Sequence, residues 1–166
     1  MRILLCDSTL YAPSSPLFLE ALEEVAREQG YEWLFFDEAL FLRPLQSSMV
    51  HKIAYRLLRW RPLTYWSMNR ALLETARRFR PDVVLIVKGA FYSPTTLQCI
   101  KQETGALLVN YATDDPFNPR VNTPDLVRAI PLYDLYVSTK KAIMEDVRKA
   151  GCPCVVYMPF AYKPSV

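Results

Sequence analysis

The stretch Arg80–Gly89, RPDVVLIVKG, decides the fold. Pro81-Asp82 stops a helical pattern, an apolar run follows from Val83 to Val87, and Lys88-Gly89 ends it. A short, unbroken, β-branched apolar run between breakers reads as a strand buried on both faces, and such strands belong to parallel sheets covered by helices. The pattern recurs on either side. Arg2–Cys6, Glu32–Phe36, Leu107–Tyr111, Leu135–Ser138 and Val155–Met158 read as further strands. Between them lie helical stripes. Leu17, Phe18, Ala21, Leu22, Val25 and Ala26 form one that starts at Pro16, with Ser15 as N-cap, and ends at Gly30. Val50, Ile53, Ala54, Leu57 and Leu58 form a second, and Tyr65, Met68, Leu72, Ala76 and Phe79 a third. Helices are also expected from Ser93-Pro94 to Glu103, from Asp125 to Ala129 and from Lys140 to Lys149. Strand and helix alternate throughout. The alternation predicts an α/β fold: a Rossmann-like, doubly wound, mostly parallel sheet of about six strands with helices on both faces.

Composition narrows the function. With 166 residues, 51% hydrophobic and 22% charged, the chain has the material for one packed domain and is not a disordered segment. Its purely apolar runs reach only five residues, against the roughly 20 that cross a bilayer. Asp7 interrupts the apolar start too early for a secretory signal, which leads us to expect a cytoplasmic protein. Four glycines leave almost nothing for a phosphate loop, and no Gly-x-Gly-x-x-Gly or Walker A sequence occurs. A dinucleotide-binding fold and a P-loop nucleotidase are therefore set aside. A two-component receiver would need an acceptor Asp at the end of the third strand, where Val87-Lys88 stand. The lone His51 and the missing Gly-x-Ser-x-Gly argue against a Ser-His-Asp hydrolase. Cys6, Cys99, Cys152 and Cys154 fit no zinc spacing and read as reduced, mostly buried thiols, with a redox role for Cys152 and Cys154 as the alternative.

Ligands of open parallel sheets sit outside the carboxyl ends of the strands. The polar rim expected there is Asp7, Ser8, Thr9 and Tyr11 after the first strand, and Lys88 and Gly89 after the third. Thr113, Asp114 and Asp115 follow the fourth, and Thr139, Lys140 and Lys141 the fifth. Asp114-Asp115 has three readings: a turn or helix cap helped by Pro116, a general base or substrate contact, or a metal ligand. No further ligands complete a metal shell, so no metal is assigned.

The net charge of +3 is too mild for a dedicated nucleic-acid binder, but it is unevenly spread. Lys52, Arg56, Arg59, Arg61, Arg70, Arg77, Arg78 and Arg80, against Glu74 alone, give +7 between residues 52 and 80. Tyr55, Trp60, Tyr65 and Trp66 are interleaved with them. A solvated face, an anionic membrane surface and nucleic acid are the three readings. The membrane reading would use Lys52, Arg56, Arg59, Arg61, Trp60 and Trp66.

An ordered set of segments resembles the N-terminal domain of the CgeB-like (spore maturation protein-like) glycosyltransferases, which have a GT-B fold. The set begins with Arg2-Ile3-Leu4-Leu5, Ser8-Thr9-Leu10-Tyr11, Phe35-Phe36-Asp37 and Asn69-Arg70-Ala71-Leu72-Leu73. It continues with Arg80-Pro81-Asp82-Val83-Val84-Leu85, Lys88-Gly89, Ser93-Pro94-Thr95-Thr96-Leu97 and Asn110-Tyr111. Asp114-Asp115-Pro116-Phe117, Tyr133-Asp134-Leu135, Thr139-Lys140 and Met158-Pro159-Phe160-Ala161-Tyr162 close it. The first loop departs from the pattern, with Ala12-Pro13-Ser14-Ser15 where relatives often carry Gly.

The resemblance implies that residues 1–158 are the acceptor-side domain of a metal-independent sugar transferase, inactive alone. Residues 159–166 would start the linker to a C-terminal domain that binds the nucleotide-sugar, so no cofactor is expected in this chain. Asp115, with Asp114 beside it, would be the base or acceptor-orienting carboxylate. Lys88, Thr139 and Lys140 would orient polar or phosphate groups. The alternative is a stand-alone, non-catalytic module that docks to anionic membranes or a protein partner.

Overall fold

The computed structural model describes residues 1–9, 15–47, 49, 50, 53, 57 and 62–160, with the side chains of 15–18 and 44–47 left aside. Six strands form one all-parallel sheet: β1 Arg2–Asp7, β2 Glu32–Asp37, β3 Val83–Val87, β4 Leu107–Ala112, β5 Leu135–Ser138 and β6 Val155–Tyr157. Their order is β2-β1-β3-β4-β5-β6. The helices are α1 Ser15–Glu28, α2 Ala39–Ser47, α3 Tyr65–Phe79, α4 Pro94–Thr104, α5 Pro124–Ala129 and α6 Met144–Lys149. Short 3-10 turns at Ile130–Leu132 and Lys141–Ile143 precede β5 and α6. The doubly wound α/β fold expected from the alternation is thus the observed one.

Period-two alternation splits each strand between two cores. Leu4, Cys6, Val84, Ile86, Leu108 and Tyr136 pack with Met68, Leu72 and Ala76 of α3, Leu97 and Ile100 of α4, and Val147 of α6. Leu5, Val87 and Tyr111 form the opposite core with Leu19 and Leu22 of α1. Among the described residues the sheet is therefore covered on both faces, by α1 on one side and by α3, α4 and α6 on the other.

Two elements differ from the sequence reading. Helix α2 has no counterpart in the sequence reading, and it contains Pro44, a residue that disfavours a helix interior. It is held at its start by the Glu38 carbonyl, which accepts from the Phe41 and Leu42 amides at 2.9 and 3.0 Å. The segment read as one helix from Lys140 is a 3-10 turn followed by α6. Among the cysteines, Cys6 and Cys152 are buried, Cys99 is half-buried and Cys154 is exposed, all as free thiols, so the expectation of mostly buried thiols holds for two. Pro159 and Phe160 are exposed and irregular, and residues 161–166 of the expected linker lie outside the described residues. No helix among the described residues is long and apolar enough to cross a membrane.

The turn after β3 fixes the chain most tightly. Lys88 and Gly89 both have positive φ, 63° and 84°. A Cβ on Gly89 would stand 3.0 Å from both Asn110 Nδ2 and the Tyr133 hydroxyl. Gly105, at φ 74°, has nothing within 4 Å of its notional Cβ. Gly105→Ala should therefore cost only the left-handed backbone penalty of about 1 kcal/mol, and Gly89→Ala about 2 kcal/mol or more. Urea unfolding of the two variants checks the order. Equal losses would show that the close approach at Gly89 relaxes freely.

Candidate functional site

The strand order reverses beside β1, since the chain leaves β1 for β2 on one side and comes back to β3 on the other. Loops diverging from such a switch point leave a crevice at the carboxyl ends. Here it is a cleft of about 350 Å³, lined by Asp7 and Ser8 after β1, Glu38 after β2, Val87 and Lys88 after β3, and Ala112 and Asp114 after β4. Phe91, Pro116, Val121 and Leu126 add an apolar wall, and Arg120 and Tyr136 also line it.

Each wall has its own fastening. The Lys88 amide donates to the Tyr111 carbonyl at 3.0 Å, and Asn110 Nδ2 donates to the Lys88 carbonyl at 3.3 Å. Asn69 on α3 clamps the loop before α4. Its Nδ2 donates to the Phe91 carbonyl at 3.0 Å, and its Oδ1 accepts from the Ser93 amide at 2.7 Å. Thr123 caps α5 by accepting from the Leu126 amide, and its hydroxyl donates to the Ala90 carbonyl at 2.6 Å. The Tyr65 hydroxyl donates to Asp125 Oδ2 at 2.7 Å, which ties α5 to α3.

Glu38 is the chemical centre of the polar wall. Its backbone N–H donates to the Asp7 carbonyl at 2.9 Å, and its side chain turns inward to 6% exposure. There Oε1 accepts from the fully buried Tyr92 hydroxyl at 2.6 Å. Burial raises the Glu38 pKa from an ordinary 4.5 to about 7. The Tyr92 hydrogen bond opposes that rise, Asp7 and Asp37 add to it, and Lys88 opposes it. Burial also pushes up the Tyr92 phenol and the Cys6 thiol beside it. Tyr136, 1% exposed, has a hydroxyl with no hydrogen-bond partner among the described residues, as does the buried Oδ1 of Asn110. Lys88 Nζ lies 3.9 Å from Asp114 Oδ2, a half-exposed pair of small energetic value. Among the described residues, no three His, Cys, Asp or Glu side chains converge as a metal site would need.

Of the residues expected from sequence, Asp7, Ser8, Lys88 and Asp114 line the cleft. Asp115 does not line it. Its Oδ1 accepts from the Phe117 amide at 2.9 Å, the turn geometry that was one of its three readings. Thr9 is held by Asp37, with its hydroxyl donating to Oδ2 at 2.8 Å. Thr139 donates to the Ala112 and Thr113 carbonyls at 3.4 Å, and Thr113 donates to Asp114 Oδ2 at 3.5 Å. Gly89 shapes the turn behind Lys88. Lys140 is exposed, and its backbone meets the Ser138 hydroxyl. Thr9, Gly89, Thr113, Thr139 and Lys140 thus surround the cleft without lining it. Tyr11, the basic residues Lys52, Arg56, Arg59 and Arg61, and Trp60 among them lie outside the described residues. Trp66 is exposed and packs edge-on against Tyr65 at 5.4 Å.

Sequence reasoning missed Glu38, Arg120 and Tyr136 as site residues. The Asp37-Glu38 pair at the end of β2 was the available signal for the first. Nothing in the pattern marks Tyr136, which sits inside a strand.

No family model matches the chain, and no curated protein matches it. Among solved structures, it is similar to a Xanthomonas campestris pv. campestris protein described as a proposed hydrolase of the alpha/beta superfamily. The identity is 12% and the TM-score 0.47, over 96% of this chain and 86% of that one. A likeness at that level carries no argument about function.

The folded protein holds the Glu38 proton to about pH 7, whereas the unfolded chain releases it near 4.5. Stability from this group is therefore full below the lower value and declines as pH rises through the upper one, by about 3 kcal/mol in all. Glu38→Gln should match the wild type near pH 4.5 and exceed it in urea unfolding at pH 8. Parallel pH profiles for the two proteins would refute a raised Glu38 pKa.

Proposed function

We propose that the cleft holds the hydroxyl-bearing acceptor of a sugar transfer, and that the chain is the acceptor-side domain of a GT-B-type glycosyltransferase. The carrying observation is the cleft's place and lining. It opens at the switch point of the sheet, with carboxyl, hydroxyl and ammonium groups on one wall and apolar side chains on the other. A sugar or glycoside has both kinds of surface: hydroxyl edges for Asp7, Ser8, Lys88 and Asp114, and a C–H face for Phe91 and Pro116. The Lys88-Gly89 and Asp114-Asp115-Pro116-Phe117 segments that carry the family resemblance flank this cleft. In this reading Asp114 meets the acceptor, and Asp115 sets the turn that presents it. The nucleotide-sugar would bind a second domain, and transfer would occur where the two domains face each other.

Amide NMR of the chain with methyl glucosides and with uridine diphosphate glucose tests the reading. Shifts at Ser8, Lys88–Phe91 and Asp114–Val121 with the glucosides, and none there with the nucleotide-sugar, are expected. Lys88→Gly should weaken the glucosides by about threefold to tenfold while gaining about 1 kcal/mol from its relieved backbone. Silence with the glucosides, or the nucleotide-sugar in this cleft, would overturn it.

A specific observation favours a second property, docking to an anionic membrane surface. Met49, Val50, Ile53 and Leu57 are helical positions spaced for one face, and each is more than half exposed, as is Trp66. They lie in or beside the stretch of sequence with a charge of +7. Apolar side chains flanked by Arg and Lys suit a headgroup boundary. The chain should co-sediment with phosphatidylglycerol-containing vesicles at low salt and release at high salt. The Ile53→Asp, Leu57→Asp double variant should bind several-fold less. Binding indifferent to lipid charge would count against the docking.

A further inference from the structure

We infer that Glu38 is the proton-accepting residue of the cleft and that Tyr92 is its positioning residue. The inference rests on the acceptor-site reading and names the group that would act there. Three observations carry it. Glu38 is a buried carboxyl that lines the cleft, and its Oε1 is fixed by a 2.6 Å bond from a hydroxyl that is itself fully buried. Asn69 on α3 bonds the backbone on either side of Tyr92, and the Tyr92 side chain is fully buried, so both its backbone and its ring are held. Tyr136 lines the same cavity, and its buried hydroxyl has no hydrogen-bond partner among the described residues, so the floor beneath Glu38 is polar as well as packed.

The groups around Glu38 come from every neighbouring element. Asp7 and Cys6 belong to β1, Asp37 to β2, Lys88 follows β3, Tyr92 precedes α4, and Tyr133 precedes β5. Among them Lys88 is the cation, and Asp114 competes for it. Glu38 can therefore exchange its proton near neutral pH, where a base has most effect. In the step itself, the acceptor O–H bond breaks and its proton moves to the Glu38 carboxylate. The oxygen's electron pair forms the bond to the anomeric carbon of a nucleotide-sugar. The anomeric C–O bond to the diphosphate breaks, and that pair leaves on the diphosphate.

The test uses the whole chain with methyl β-glucoside as probe. If the hydroxyl donates to the carboxylate, probe affinity should rise about tenfold from pH 6 to pH 8, and the Glu38 titration followed by carbon NMR should move to lower pH when the probe is bound. Glu38→Gln should flatten the profile. Tyr92→Phe removes the bond that favours the carboxylate and should displace the profile to higher pH, which a purely structural Tyr92 would not do. Should Glu38→Gln fail to fold, the wild-type titration and Tyr92→Phe decide. A bound probe that leaves the Glu38 titration unmoved, or a pH profile unchanged in Glu38→Gln, overturns the inference alone. A probe that binds at no pH, while free Glu38 still titrates near neutrality, overturns the acceptor-site reading and the inference with it.

Discussion

The structure depends on β1 lying between β2 and β3. Arg2 to Asp7 pair with Glu32 to Asp37 on one side, and Ile3 to Cys6 pair with Val83 to Ile86 on the other. Both pairings are parallel, so each needs a crossover, and the favoured right-handed crossovers put the two connections on opposite faces. That is why α1 packs on one core and α3 on the other. The same geometry separates the loops beyond β1 and β3 and brings the end of β2 alongside, so Asp7, Glu38 and Lys88 reach one cavity. A one-residue slip of β1 would exchange Leu4 and Cys6 for Leu5 and carry Asp7 away from the cleft.

Around that cavity the chain repeatedly breaks local rules. Lys88 occupies a left-handed conformation that glycine adopts without strain. Asn110 stands in the apolar row between Leu108 and Ala112, where its Nδ2 secures the Lys88 carbonyl and its Oδ1 has no partner among the described residues. Glu38 is a carboxyl buried beside a second one. Each departure costs on the order of 1 kcal/mol or more. Other departures lie away from the cleft, such as the left-handed Arg80 that ends α3 and Pro44 within α2, but at the cleft a strained turn, a polar residue in an apolar row and a buried carboxyl meet in one place.

The fold was legible because parallel strands need both faces apolar, and runs such as Val83–Val87 state that plainly. The rim of the cleft was legible in part, since Asp7, Ser8, Lys88 and Asp114 stand at or just past strand ends. Glu38 was hidden because strand order decides which ends converge, and order is not written in any single segment. β2 reads like any other strand until it is seen to lie beside β1. Tyr136 was hidden for a different reason. A tyrosine inside a strand looks like core, and only packing reveals that its hydroxyl has no partner among the described residues. Helix α2 contains Pro44, whose local preference gives way to the burial of Ala39 and Leu42.

The two walls of the cleft are fastened differently, and this bears on how Asp115 acts. The polar wall is part of the sheet and its register fixes it. Apart from Phe91, the apolar wall comes from the segment Pro116 to Leu126, which is held by a few bonds, among them Asp115 to Phe117, Thr123 to Ala90 and Asp125 to Tyr65. A carboxylate that accepts a backbone amide within its own turn shapes that wall. Loss of Asp115 would therefore release Pro116 and loosen the apolar side, while Glu38 and Asp7 stayed in place. Loss of Glu38 would leave the wall intact and remove the group that can take a proton. The carboxylates of this rim thus divide by burial and not by position in the sequence. The exposed Asp114 is the one the proposed acceptor would meet, the tethered Asp115 holds its own turn, and the buried Glu38 is the one whose charge water no longer sets, which is why the proposed proton transfer falls to it.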